Sequence, residues 1–250
     1  NLNIFNNLAL SNLNGFSKLT NVGGYFYIVS NNHLTNLNGL SSLTSIGGTL
    51  YLGVNPALSN LSGLSSLTSV GGNLIFAHNN SLTSLDGLSG ALTSIGGYLE
   101  IRENPALTNL NGLSALTSLR FRIYIENNNS LTDITGLKNI NPATIGGNTG
   151  LHIIDNPFLM VCNLPNFCEY LAGSGPRIIS GNAGACINET TVAAACSEIC
   201  FSTTTWDGLS WSNGTPDLTK KAIINGDLVL SSNLEACELE VTADGNLQIP

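Results

Sequence analysis

Seven asparagines recur at nearly constant spacing through the first two thirds of this chain. Asn7, Asn31, Asn55, Asn79, Asn104, Asn128 and Asn156 are separated by 24, 24, 24, 25, 24 and 28 residues. Each closes the same unit, seen in Leu99-Glu100-Ile101-Arg102-Glu103-Asn104-Pro105-Ala106-Leu107, or L-x-I-x-x-N-x-x-L. The unit returns at Leu50 to Leu58, Leu74 to Leu82 and Ile123 to Leu131. A fixed period of roughly 20 to 50 residues means stacked units, because one unit cannot bury its apolar face alone.

Within a repeat, Leu99 and Ile101 alternate with Tyr98, Glu100 and Arg102, the period of a strand with one buried face. Stacked strands of this kind pair in parallel about 4.8 Å apart, and parallel crossovers are right-handed. The fold expected is all-β, a right-handed parallel β-solenoid with rungs of the 24-residue period. Glycine pairs precede the strand at Gly23-Gly24, Gly47-Gly48, Gly71-Gly72, Gly96-Gly97 and Gly146-Gly147. They read as corners that need positive φ. Arg120-Phe121 takes the place of the pair in one rung, so that corner must be built differently. The asparagines read as structural, turning the chain and bonding to the backbone of neighbouring rungs.

Three segments follow from where this rhythm holds. Residues 1–160 carry the repeats, 161–200 a disulfide-rich cap, and 203–250 a small β module. Arg177 to Asn182 keeps the strand-then-Asn spacing and predicts one last rung. Short helices are expected from Asn166 to Leu171 and from Thr190 to Cys196, the second with Asn188 as N-cap. In the last segment Ala222–Ile224, Leu228–Leu230, Leu239–Val241 and Leu247–Ile249 read as strands, with turns at Asn225-Gly226 and Asp244-Gly245. Trp206 and Trp211 are expected in that module's core, sugar stacking being the other reading.

All six cysteines (Cys162, Cys168, Cys186, Cys196, Cys200 and Cys237) lie after the repeats. They form no C-x-x-C pair, and the three histidines are scattered, which argues against zinc. Disulfides formed in an oxidising compartment are expected. Short loops favour Cys162–Cys168 and Cys186–Cys196, leaving Cys200 and Cys237 to tie the cap to the next module. No signal peptide precedes a first residue already inside a repeat, which reads as a piece of a longer exported protein. Eight basic against sixteen acidic residues give a net charge of -8 without a basic cluster. Nucleic acid is therefore not an expected partner. No apolar run nears the roughly 20 residues that span a bilayer, so membrane insertion is not expected either.

L-x-x-L-x-L-x-x-N-x-L is the leucine-rich-repeat consensus, and here the spacing after Asn is two residues rather than one. With the preceding Gly-Gly and the following Leu110-Asn111-Gly112-Leu113, the unit resembles the receptor L-domain variety. The resemblance covers about residues 1–160 and implies a non-catalytic solenoid that binds through its surface, without naming ligand residues. Cys162-x5-Cys168 through Ile179-Ser180-Gly181-Asn182-x3-Cys186-x9-Cys196 resembles the cap of bacterial surface proteins exported by the type IX pathway. That implies extracellular display.

Lining the rungs up gives an outward column of Tyr27, Tyr51, Ile75, Glu100, Tyr124 and His152. Tyr25, Thr49, Asn73, Tyr98 and Arg122 precede it; Val29, Gly53, Ala77, Arg102, Glu126 and Ile154 follow. Tyrosine joins a flat apolar face to a polar tip and suits glycan or protein contact, although aromatic ladders also stabilise sheets. The expected contact surface is the first column with Tyr98, Arg102 and Arg122. Arg102 and Glu126 share a register and read as a cross-strand ion pair. Glycoside chemistry needs paired carboxylates, and Glu100, Glu103 and Glu126 have no acidic partner in register. An extracellular recognition or adhesion module, not an enzyme and without a cofactor, is the expectation. A polysaccharide-active solenoid, an ice-binding face on the Thr20–Thr44–Thr68–Thr93–Thr117 column, and a passive spacer stay open beside it.

Overall fold

Alternating apolar residues make the strands, and the asparagine after each strand turns the chain inward. The computed structural model describes residues 1–197, 202–213, 215–216, 220–230, 236 and 238–248. They fall into two compact units, Asn1–Val192 and Ala193–Pro250. The chain is mostly β. In the first unit β1 (Leu2–Phe5) is followed by pairs of a short and a longer strand. These are β2 (Asn21–Val22) and β3 (Phe26–Val29), β4 (Ser45–Ile46) and β5 (Leu50–Gly53), β6 (Ser69–Val70) and β7 (Leu74–Ala77), and β8 (Ser94–Ile95) and β9 (Leu99–Arg102). Then come β10 (Ile123–Glu126), β11 (Leu151–Ile154) and β12 (Arg177–Ser180). The longer strands form one eight-stranded parallel sheet in the order β1-β3-β5-β7-β9-β10-β11-β12, a solenoid-like stack. The short ones form a second parallel sheet, β2-β4-β6-β8.

The interior is a column of leucines and isoleucines. Leu99, Ile101, Leu107, Leu110, Leu113 and Leu116 are all fully buried, as are their counterparts in neighbouring rungs. Through the same interior runs an asparagine ladder from Asn31 to Asn156, each member wholly shielded. Asn104 donates from Nδ2 to the carbonyls of Phe76 (3.0 Å) and Arg102 (2.9 Å). Its Oδ1 accepts the backbone N–H of Asn79 at 3.1 Å, and the pattern repeats rung by rung. Asn182 extends it beyond the regular repeats. The residue before each of the seven repeat asparagines is left-handed and not glycine: Asn6, Ser30, Val54, His78, Glu103, Asn127 and Asp155 have φ between 52° and 59°, and only before Asn182 does glycine, Gly181, take the position. That conformation costs roughly 1–2 kcal/mol per residue, which the buried asparagine bonds offset.

The glycine pairs have another cause than positive φ. Of the five pairs only Gly147 has positive φ. In the pairs Gly47-Gly48, Gly71-Gly72 and Gly96-Gly97 the rung before lies too close: a Cβ on Gly48 would sit 2.8 Å from backbone atoms of Gly24 and Tyr25. The glycines of the L-x-G-L turns, such as Gly63 and Gly112, face a leucine carbonyl of the rung before in the same way. Where Arg120-Phe121 replaces the pair, the short-strand sheet stops, and only an isolated bridge joins Ser94 to Ser118.

Two eight-residue helices, α1 (Pro165–Ala172) and α2 (Glu189–Cys196), follow the expected segments. Asn188 accepts the Thr191 N–H at 3.0 Å as the N-cap. Buried Asn166 donates to the carbonyls of Leu137 and Ile140, both at 2.9 Å, which ties α1 to the last turn of the repeats. The disulfide pairing differs from expectation: Cys162 bonds Cys186, with Cα atoms 5.3 Å apart, which excludes Cys162–Cys168 and Cys186–Cys196. Stacking brings residues a rung apart in sequence side by side, and these two are separated by 24 positions. Cys168 and Cys196 are also disulfide-bonded. Cys200 and Cys237 lie outside the described residues.

The second unit contains β13 (Ser202–Trp206), β14 (Lys220–Ile224), β15 (Asp227–Val229), β16 (Glu238–Val241) and β17 (Asn246–Gln248). The turn at Asn225-Gly226 makes no hairpin. β14 pairs in parallel with β13 and β16, and β15 in parallel with β17. Ala222, Ile224, Leu228 and Thr204 are buried there. Trp206 and Trp211 are only half-buried and tilt against each other at 5.5 Å, with Trp206 Nε1 donating to the Asp227 carbonyl. They flank the core rather than fill it.

Candidate functional site

The pairing register sets Tyr27, Tyr51, Ile75, Glu100, Tyr124 and His152 side by side across six strands, as the repeat spacing predicts. The two flanking columns also line up, with Val29, Gly53, Ala77, Arg102, Glu126 and Ile154 in register. Five of the six tyrosines (Tyr25, Tyr27, Tyr51, Tyr98 and Tyr124) therefore share one face, all half-buried. Tyr25 stacks on Tyr27 at 4.5 Å, and Tyr27 meets Tyr51 edge-on at 5.8 Å. The Tyr51 ring lies over Gly53, where a Cβ would collide with it.

Towards β9–β11 the face becomes charged. Glu100 holds two cations, Arg102 Nε at 2.8 Å and Arg122 Nη2 at 3.2 Å. Arg122 lies over the rings of Tyr98 (4.5 Å) and Tyr124 (5.2 Å), so its Nε is buried without a partner. The expected Arg102–Glu126 ion pair does not form. Arg102 turns along its own strand to Glu100 and Glu103, while Glu126 accepts a hydrogen bond from the Tyr124 hydroxyl. Arg102 also donates to His78 Nε2 at 3.0 Å, and an arginine can only donate. His78 Nε2 is therefore the acceptor, and its Nδ1–H points to Glu103 at 2.8 Å.

Burial, and then the bond to Glu126, pushes the Tyr124 hydroxyl up to about 12. Burial also raises Tyr98, with Glu100 adding to the effect. His152 stacks on Tyr124 at 4.2 Å, and its buried Nδ1 has no partner. Burial lowers its pKa, Arg122 acting in the same direction and Glu126 against it. A histidine whose folded pKa lies below its unfolded value stabilises the fold above the unfolded pKa and loses that contribution as pH falls through both. NMR titration is expected to show the His152 ring protonating at lower pH than a free histidine. A normal midpoint would mean that the ring is solvated.

Two depressions border the charged part of the face. One of about 330 Å³ is lined by Tyr98, Phe121, Arg122, Gly147, Asn148 and Thr149. The other, of about 300 Å³, is lined by His78, Asn80, Glu103, Pro105, Asn127 and Asn129. Column reasoning omits Phe121, Asn148, Thr149 and His78. For the first three the signal lies in departures from the repeat, the missing glycine pair and the 28-residue spacing that follows, whereas His78 occupies a regular position before Asn79.

On the opposite edge the threonine column is exposed, but its hydroxyls bond within the stack. Thr44 and Thr68 each donate to the carbonyl one rung back at 2.9 Å, and Thr117 does so at 3.2 Å. Among the described residues no group of three His, Cys, Asp or Glu is placed to hold a metal, and no helix is long and apolar enough to cross a membrane. No protein-family model, curated protein or solved structure matches the chain.

Proposed function

We propose that the first unit is an extracellular, non-catalytic recognition or adhesion module that binds a glycan or protein through the exposed face of its large sheet. The observation that carries this reading is the gathering of five of six tyrosines with Glu100, Arg102 and Arg122 on that face. Aromatic and arginine side chains are the types enriched at binding hot spots. Elsewhere the rungs present small hydroxyl and amide side chains that bond to their neighbours.

In finer terms the stack is read as a right-handed leucine-rich coil of the receptor L-domain type with 24-residue rungs. The disulfides support a secreted or bacterial cell-surface location, with type IX export as the route. Tyr51→Ala and Tyr124→Ala are expected to weaken partner binding by roughly 30-fold together, about 2 kcal/mol. Melting temperature should shift by only a few degrees, since each ring contributes about 1 kcal/mol or less to the sheet. A glycan array and a surface-protein panel, each probed with wild type and the double variant, check this. Equal binding by both would leave the tyrosines a structural ladder.

A further inference from the structure

The recognition reading leaves open where on the face a ligand is read most closely. We propose that the depression beside β9 and β10, lined by Tyr98, Phe121, Arg122, Gly147, Asn148 and Thr149, binds one pyranose ring of a glycan. This subsite rests on the recognition reading and narrows it to carbohydrate.

The location is the first argument. In stacked repeats, insertions beyond the period map to loops on one face, which is often the binding face. Here the glycine pair gives way to Arg120-Phe121, and the asparagine spacing lengthens to 28 residues. The added length carries the Gly147 turn, with φ of 76°, against Phe121. Both irregularities thus form walls of the same depression.

The lining is the second argument. Phe121 is 45% exposed, an aromatic ring with one side open to solvent. Tyr98 supplies another ring, fixed from one side by Arg122. Asn148 and Thr149 make no side-chain hydrogen bond among the described residues, so an amide and a hydroxyl remain free at the rim. An apolar floor edged with neutral hydrogen-bonding groups complements a sugar, whose C–H face is apolar and whose rim carries hydroxyls. A phosphate would require a cation not already held, whereas Arg122 is paired with Glu100. The volume of about 330 Å³ lies at the lower end of ligand pockets, suited to a single ring.

The test uses the whole chain on a printed array of pyranose-terminated glycans, followed by calorimetry with the retained oligosaccharide. Phe121→Ala and Asn148→Ala/Thr149→Ala are each expected to lose about tenfold in affinity. All three side chains are exposed or half-buried, so circular dichroism should stay unchanged. Undiminished glycan binding in both variants would overturn the subsite while leaving the recognition reading intact. A wild-type chain that retains no glycan would also overturn it. The broader reading would then stand or fall on the Tyr51→Ala/Tyr124→Ala comparison against the surface-protein panel.

Discussion

Replacing Asn104 with alanine is expected to lower the unfolding free energy by roughly 3–5 kcal/mol, as for any fully bonded member of the ladder. The side chain is wholly buried and joins three rungs. Its amide donates to the carbonyls of Phe76 and Arg102, and its oxygen accepts the backbone N–H of Asn79. Alanine leaves the Asn79 N–H shielded from water and unpaired, at about 1–3 kcal/mol, and takes one hydrogen bond, about 1 kcal/mol each, from the Phe76 carbonyl and from the Arg102 carbonyl, which keeps the His78 N–H. It also removes the bonds that offset the left-handed backbone at Glu103, whose φ is 53°. Asn104→Asp keeps size and acceptors but sets a carboxylate against two carbonyls, so it should do no better. Asn7, at the exposed end of the ladder, supplies the comparison, because water can take over its bonds. Urea denaturation of the three variants checks this; a loss at Asn104 no greater than at Asn7→Ala would show that the ladder contributes little.

Much of this frame is legible in the sequence, because stacking turns period into position. Once the asparagines are aligned, the register of every longer strand and the tyrosine column follow from counting. Whatever depends on direction within a column does not follow. Arg102 and Glu126 are in register, yet the arginine finds Glu100 two residues back on its own strand, and Tyr124 takes Glu126. The left-handed position before the seven repeat asparagines carries no glycine signal, since the residue there is variously Asn, Ser, Val, His, Glu or Asp. Short loops suggest cysteine partners close in sequence, whereas the rungs bring Cys162 and Cys186 together. The depression at Phe121 draws its walls from three separate stretches, 98, 121–122 and 147–149, so no local motif announces it. In the second unit, Asn225-Gly226 marks a turn but not which strands pair across it.

Gly112→Ala and Gly15→Ala should part sharply, although both glycines occupy the same place in the L-x-G-L/F turn. Neither has positive φ, so backbone strain does not separate them. The difference is the neighbour. A Cβ on Gly112 would fall well under 3.0 Å from the carbonyl of Leu85, whereas Gly15, in the first rung, has nothing within 4 Å. Backbone held between two rungs cannot swing aside as a side-chain tip can. Alanine at 112 must push rungs apart, at about 3 kcal/mol, the upper end for overpacking. Alanine at 15 meets open space and restricts the unfolded chain, so it should leave stability unchanged or raise it by about 0.4–1 kcal/mol. Thermal unfolding of both variants under one condition reads the contrast, with Gly112→Ala melting several degrees lower. Equal melting temperatures would mean that rung spacing yields to a methyl group, and the close approach of backbones would then no longer explain why glycine recurs in every turn.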